Sequence, residues 1–154
     1  MKPLPFAFLL AAALHLIAAS PAIAADKHAH DHAHKATPQG GRLLDKTEPH
    51  AEFVVEKDRA VTIHFYSEEM MPVAVTTQHV IVLADAKGVR TKVEFERKGD
   101  VLKSRTKLPE GDGYNLVVQF RQTPEAKPMN FRFKLDLSIC GACKRAEYAC
   151  TCEH

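Results

Sequence analysis

The stretch "AEFVVEKDRAVTIHFY" (residues 51–66) decides the fold. Phe53 and Val55 alternate with Glu52 and Glu56, and Val61, Ile63 and Phe65 alternate with Thr62, His64 and Tyr66. A period of two sends successive side chains to opposite faces, so each run reads as a half-buried antiparallel strand with its apolar row inward. "EKDRA" between them is a turn signal.

The same alternation recurs along the chain. "VEFER" sets Val93 and Phe95 against Glu94 and Glu96, and "YNLVVQF" offers Leu116, Val118 and Phe120. "NFRFKLDL" places Phe131, Phe133, Leu135 and Leu137 opposite Arg132, Lys134 and Asp136. "VAVTTQHVIVLA" supplies one further strand or two, and "DVLKSRTK" a short one, with "DAKGV", "RKGD", "PEGDG" and "TPEAKP" as turns. Strands at this spacing predict an all-β protein, an immunoglobulin-like antiparallel β-sandwich of about seven strands. Tyr114, after an acidic-glycine turn at the start of a strand, matches a tyrosine corner. No cysteine precedes Cys140, so Phe and Val fill the core without a disulfide between sheets.

Nothing in this body predicts catalysis. There is no serine in a nucleophile elbow, no Gly-rich phosphate loop after a strand and no H-E-x-x-H. His64 falls on the solvent face by alternation, and His79 shares parity with Val73, Val75 and Ile81; both read as structural residues. Met70 and Met71 are a soft pair of the kind Cu(I) takes, and read more simply as hydrophobic plugs.

The chemistry is at the ends. Residues 1–25 carry Lys2, an apolar run from Phe6 to Ala19, and Ala22 and Ala24 in A-x-A positions, the pattern of a cleaved secretory signal. The run is shorter than the ~20 residues a membrane-spanning helix needs, and no later run would span a membrane. A soluble periplasmic protein is predicted. Lys and Arg number 21 against 19 Asp and Glu, which gives no concentrated basic surface for nucleic acid.

Residues 26–47 form a polar segment, predicted to be a disordered arm and linker, in which His28, His30, His32 and His34 alternate with Ala and Asp. Neutral imidazoles so placed can wrap onto Zn²⁺, Cu²⁺ or Ni²⁺, and their protonation near pH 6.5 would release the ion. The β domain follows over 48–138, and a Cys-rich tail over 139–154.

That tail holds Cys140, Cys143, Cys150 and Cys152 in a C-x2-C-x6-C-x-C spacing. Four thiolates would make a closed tetrahedral site for Zn²⁺ or a nest for Cu(I). An exported protein with an even cysteine count equally suits two disulfides that staple the tail, and a redox-active dithiol is the third possibility. Lys144 and Arg145 are expected to lower the thiol pKa values by their charge. Beyond Leu137 only Ile139 and Tyr148 are large and apolar, so the tail has little else to hold it.

Two stretches carry a resemblance. "PQGGRLLDKTEPHAEFVV" (residues 38–55) resembles the opening of small exported proteins found beside heavy-metal efflux systems. It is also similar to N-terminal extensions of the membrane-fusion subunits of such pumps, matched at Gly40, Gly41, Arg42, Leu43 and Leu44, with Gln39 where those carry His. "CGACKRAEYACTCEH" (residues 140–154), together with "LPEGDGY" (108–114), looks like the C-terminal part of a group of uncharacterised exported β-domain proteins. The resemblance implies a setting, periplasmic handling of copper, zinc or related cations beside a pump subunit. It implies no catalytic residues.

Overall fold

The computed structural model describes residues 36–152. The predicted signal and the run bearing His28, His30, His32 and His34 lie outside these residues. The described chain forms eight strands: β1 (Arg42–Leu44), β2 (His50–Val55), β3 (Val61–Tyr66), β4 (His79–Ala86), β5 (Val89–Lys98), β6 (Val101–Ser104), β7 (Tyr114–Arg121) and β8 (Met129–Leu135). One 3₁₀ turn, Glu147–Ala149, follows them.

All seven segments with strand patterning are strands. The eighth, β1, falls in the stretch read as disordered linker, which is corrected for residues 36–47. Gly41 explains the capture of this segment. A Cβ there would lie 2.3 Å from the Phe53 carbonyl oxygen, so only glycine lets the chain approach β2 this closely. Arg42, Leu43 and Leu44 then pair with Phe53, Glu52 and Ala51.

The two-sheet sandwich is also corrected. The strands form one antiparallel, nearly closed, barrel-like sheet in the order β1-β2-β3-β6-β5-β4-β7-β8. Its continuity rests on β5, which is long enough to serve two partners. Val89–Glu94 pair with β4, and Phe95–Lys98 pair with β6. The β4–β5 connection, Lys87-Gly88, has positive φ at both residues (52° and 78°), the geometry of a two-residue hairpin turn.

The inward rows follow the alternation. Phe53, Val61, Ile63, Val82, Val93, Leu116, Val118 and Phe120 are all fully buried in one core. Along β4 the inward row is Val80, Val82, Ala84 and Ala86, opposite to the parity of Val75, which is also buried. The phase changes at Thr76–Gln78, where the Gln78 side chain is buried and accepts from the Thr76 N–H at 2.8 Å. His79 is therefore exposed and does not share a face with Val75. At the corner before β7, the Tyr114 hydroxyl donates to the Pro109 carbonyl at 2.9 Å, as a tyrosine corner requires.

Glu52, expected to face solvent, is 0 % exposed. The turn at Thr37–Gly41 folds over it. Its carboxylate accepts from the Gly41 N–H at 2.7 Å, the Gln39 N–H at 3.1 Å and the Tyr66 hydroxyl at 2.8 Å. Burial and this neighbour push the Tyr66 phenol up to about 12, and Tyr66 is buried with it. A buried carboxylate without such partners would be strongly unfavourable. Glu52→Ala leaves two buried donors, the Gly41 N–H and the Tyr66 hydroxyl, without an acceptor and should lower the unfolding free energy by about 3 kcal/mol in urea titration. Glu94→Ala, which loses only an exposed ion pair to Lys92, should cost less than about 1 kcal/mol.

Candidate metal centre

The tail is held much more firmly than its composition suggests. Past β8 the chain turns back on itself: Ile139 bridges Ala146 in antiparallel fashion, while the Glu147 and Tyr148 N–H groups donate to Ser138 and Asp136 at 2.8 and 2.9 Å. Tyr148 is buried in the main core. Its ring lies edge-on to Phe53 (6.1 Å between centroids) and stacks on Phe133 (6.4 Å), and its hydroxyl accepts from the Val55 N–H at 2.9 Å. Arg42 sits over the Phe133 ring, 4.8 Å from its centroid, and donates to the Tyr148 carbonyl at 3.0 Å. The expectation of a weakly held tail is corrected. Residues 139–152 are part of the folded body.

This anchorage brings the cysteines together. Cys140 opens a tight loop in which its N–H donates to the Arg145 carbonyl at 2.8 Å and its carbonyl accepts from the Lys144 N–H at 3.1 Å. Lys144 takes positive φ (61°) and returns the chain so that Cys143 faces Cys140. The 3₁₀ turn carrying Tyr148 delivers Cys150 and Cys152 to the same point. The four sulfurs lie within 4.8 Å of one another. Cys140–Cys150 measures 3.4 Å, Cys143–Cys150 3.6 Å and Cys140–Cys152 3.9 Å. None of the four cysteines is in a disulfide; Cys140 and Cys150 are buried, Cys143 and Cys152 half-buried.

These separations fit a definite chemistry. A disulfide joins sulfurs at about 2.05 Å. Four sulfurs each about 2.3 Å from a tetrahedral Zn²⁺ stand about 3.8 Å apart, and the observed distances bracket that value. The cluster is compatible with one bound metal ion held by Cys140, Cys143, Cys150 and Cys152.

The peptide backbone favours thiolate here. The Arg145 N–H and then the Thr151 N–H bond to the Cys143 sulfur and bring its pKa down to about 6, with the neighbouring Cys150 and Cys140 thiols adding to the effect. At Cys150 the Cys152 N–H favours the thiolate, at 3.4 Å, but burial and the neighbouring sulfurs outweigh it and push the thiol up to about 12. A thiolate at Cys143 thus favours the protonated form at Cys150 and Cys152. The side-chain charges of Lys144 and Arg145, expected to lower the thiol pKa values, go elsewhere. Lys144 Nζ donates to the Gly141 carbonyl at 2.6 Å, and the Arg145 guanidinium donates to Thr37.

The sequence therefore found all four sulfurs by their spacing. It missed the N–H groups that favour thiolate at Cys143, since any residue at 145 or 151 supplies one. The histidines of the fold do not join the cluster: His64 and His79 lie on β3 and β4, and His50 Nδ1 is 3.2 Å from the Thr47 carbonyl oxygen. Met71 is exposed and Met70 half-buried beside it, away from the core. Among the described residues no helix is long and apolar enough to cross a membrane.

Fold and site together define an all-β protein with a four-sulfur cluster compatible with a metal ion. No known family, curated protein or solved structure matches the chain.

In the reduced, metal-free protein, alkylation by iodoacetamide should reach Cys143 first, with a rate that rises through a midpoint near pH 6 as its thiolate forms. Cys150 should react last. Peptide mass mapping of the partly modified protein reads the order.

Proposed function

We propose that this chain is an exported, periplasmic, non-enzymatic metal-binding accessory protein that handles copper, zinc or a related cation for a heavy-metal efflux system. The observation that carries this reading is the sulfur geometry: four sulfurs outside any disulfide within 4.8 Å of one another, two of the cysteines buried. The donor set narrows the ion. All-sulfur, closed coordination suits Zn²⁺, Cd²⁺ and Cu(I), and is poor for Mg²⁺ or Ca²⁺, which take oxygen. The sequence supports the setting through the signal pattern of residues 1–25, the histidines at 28, 30, 32 and 34, and the resemblance to proteins found beside such pumps. In this reading the ion at Cys140, Cys143, Cys150 and Cys152 is cargo or a brace, and the partner is a periplasmic pump subunit.

One observation favours a second reading. Cys140–Cys152 and Cys143–Cys150 are separate close pairs, so two disulfides would staple the same tail and make the protein an envelope interaction module without metal. Elemental analysis with intact mass on protein purified after export separates them. The metal reading expects about one equivalent of a thiophilic metal, a mass with all thiols reduced, and loss of the metal in C140S/C150S. A metal-free protein lighter by the hydrogens of two disulfides would overturn it.

A further inference from the structure

The four sulfurs are not equivalent. Cys140 and Cys150 are buried, and each has a half-buried partner close by. Cys143 stands 3.6 Å from Cys150, and Cys152 stands 3.9 Å from Cys140. Each of these pairs joins a residue that solvent reaches to one that it does not. Cys140 and Cys150 are closer still, at 3.4 Å, but both are buried, so a dissolved reagent meets neither first.

The backbone that carries them is unequal too. Cys150 follows Tyr148 and Ala149, both buried in the core, and its N–H donates to the Glu147 carbonyl at 3.1 Å. Cys140 is fixed by its N–H to the Arg145 carbonyl and by its carbonyl to the Lys144 N–H. Within the loop so closed, Gly141, Ala142 and Lys144 are exposed, and a Cβ on Gly141 would meet nothing within 4 Å. The segment bearing Cys143 therefore has open space beside it, while the segment bearing Cys150 is held by the core. A disulfide joins sulfurs at about 2.05 Å, so Cys143 has about 1.5 Å to travel from its present 3.6 Å. Such a shift can be made within the loop, leaving the Ile139–Ala146 bridge at its base in place.

We propose that Cys143 and Cys150 are a reversible redox pair that empties the metal centre, with a small-molecule disulfide as the oxidant. The inference rests on the metal-binding reading above and adds the means by which the ion is released. The Cys143 thiolate attacks one sulfur of the oxidant, whose S–S bond breaks; a mixed disulfide forms and one small thiolate leaves. The Cys150 thiolate then attacks the Cys143 sulfur and expels the second small thiolate, which closes the Cys143–Cys150 bond. Two electrons pass from the protein sulfurs to the oxidant, and the cation keeps its charge throughout. Cys140 and Cys152 remain as two donors where a closed zinc site takes four, so the ion leaves. The two remaining thiolates take up protons from water. Reduction of the disulfide restores the four donors.

The exported protein, reduced and loaded with Zn²⁺, is mixed anaerobically with excess glutathione disulfide. A chromogenic zinc indicator reads the released ion, and peptide mass mapping of acid-quenched samples reads the bonds. The expected result is loss of about one equivalent of Zn²⁺ in step with a Cys143–Cys150 disulfide as the first to form, and rebinding when a phosphine reductant is added. In metal-free C150S the reaction should halt with the glutathione adduct on Cys143; an adduct that maps elsewhere would overturn the order of attack. Zn²⁺ retained under the oxidant, lost with a different first disulfide, or not regained on reduction would overturn the switch and leave the metal centre standing. A reduced wild-type protein that takes up no Zn²⁺ would overturn the metal reading and the switch with it.

Discussion

The structure depends on Tyr148. A barrel-like sheet that stops short of closure leaves two edge strands, and unpaired edges invite association with other chains. Here β1 and β8 both contact the 3₁₀ turn that carries Tyr148. The ring packs against both Phe53 and Phe133, the hydroxyl is used by β2, and the carbonyl by Arg42 of β1. Aromatic pairs of this kind contribute about 0.5–1.5 kcal/mol each beyond the area they bury. The same turn sets Cys150 two residues further on against Cys140. Closing the body and assembling the four sulfurs are one packing event.

That coupling gives the "GGRLL" segment a structural role. Gly41 permits the close approach to β2, Glu52 fixes the Gly41 N–H, Arg42 covers Phe133, and Leu44 enters the core. None of its side chains is a metal ligand type. The segment shapes the surface on which the tail rests, and Thr37, whose hydroxyl donates to the Gly41 carbonyl, accepts from Arg145 of the cysteine loop.

The strands were legible because they are half-buried, so that water enforces the alternation of Val61, Ile63 and Phe65 with polar neighbours. Partner choice leaves no such trace. Nothing in "VEFER" indicates that β5 changes partner after Glu94, which is why two sheets were expected and one is found. β1 has only three residues and no period to detect; a glycine contact and a buried carboxylate hold it. Glu52 misled for a related reason, since alternation gives a side chain's face and not what later covers that face. At the site, cysteine spacing revealed the four donors. The tail looks loose in sequence, but a single Tyr packed against two phenylalanines outweighs the scarcity of apolar residues around it.

The central claim is that the four tail sulfurs surround one cation. X-ray absorption at the metal edge, on protein purified after export, tests it most directly. The account predicts a first shell of four sulfur scatterers at about 2.3 Å for zinc. A shell dominated by nitrogen or oxygen, or no bound metal to measure, would contradict it.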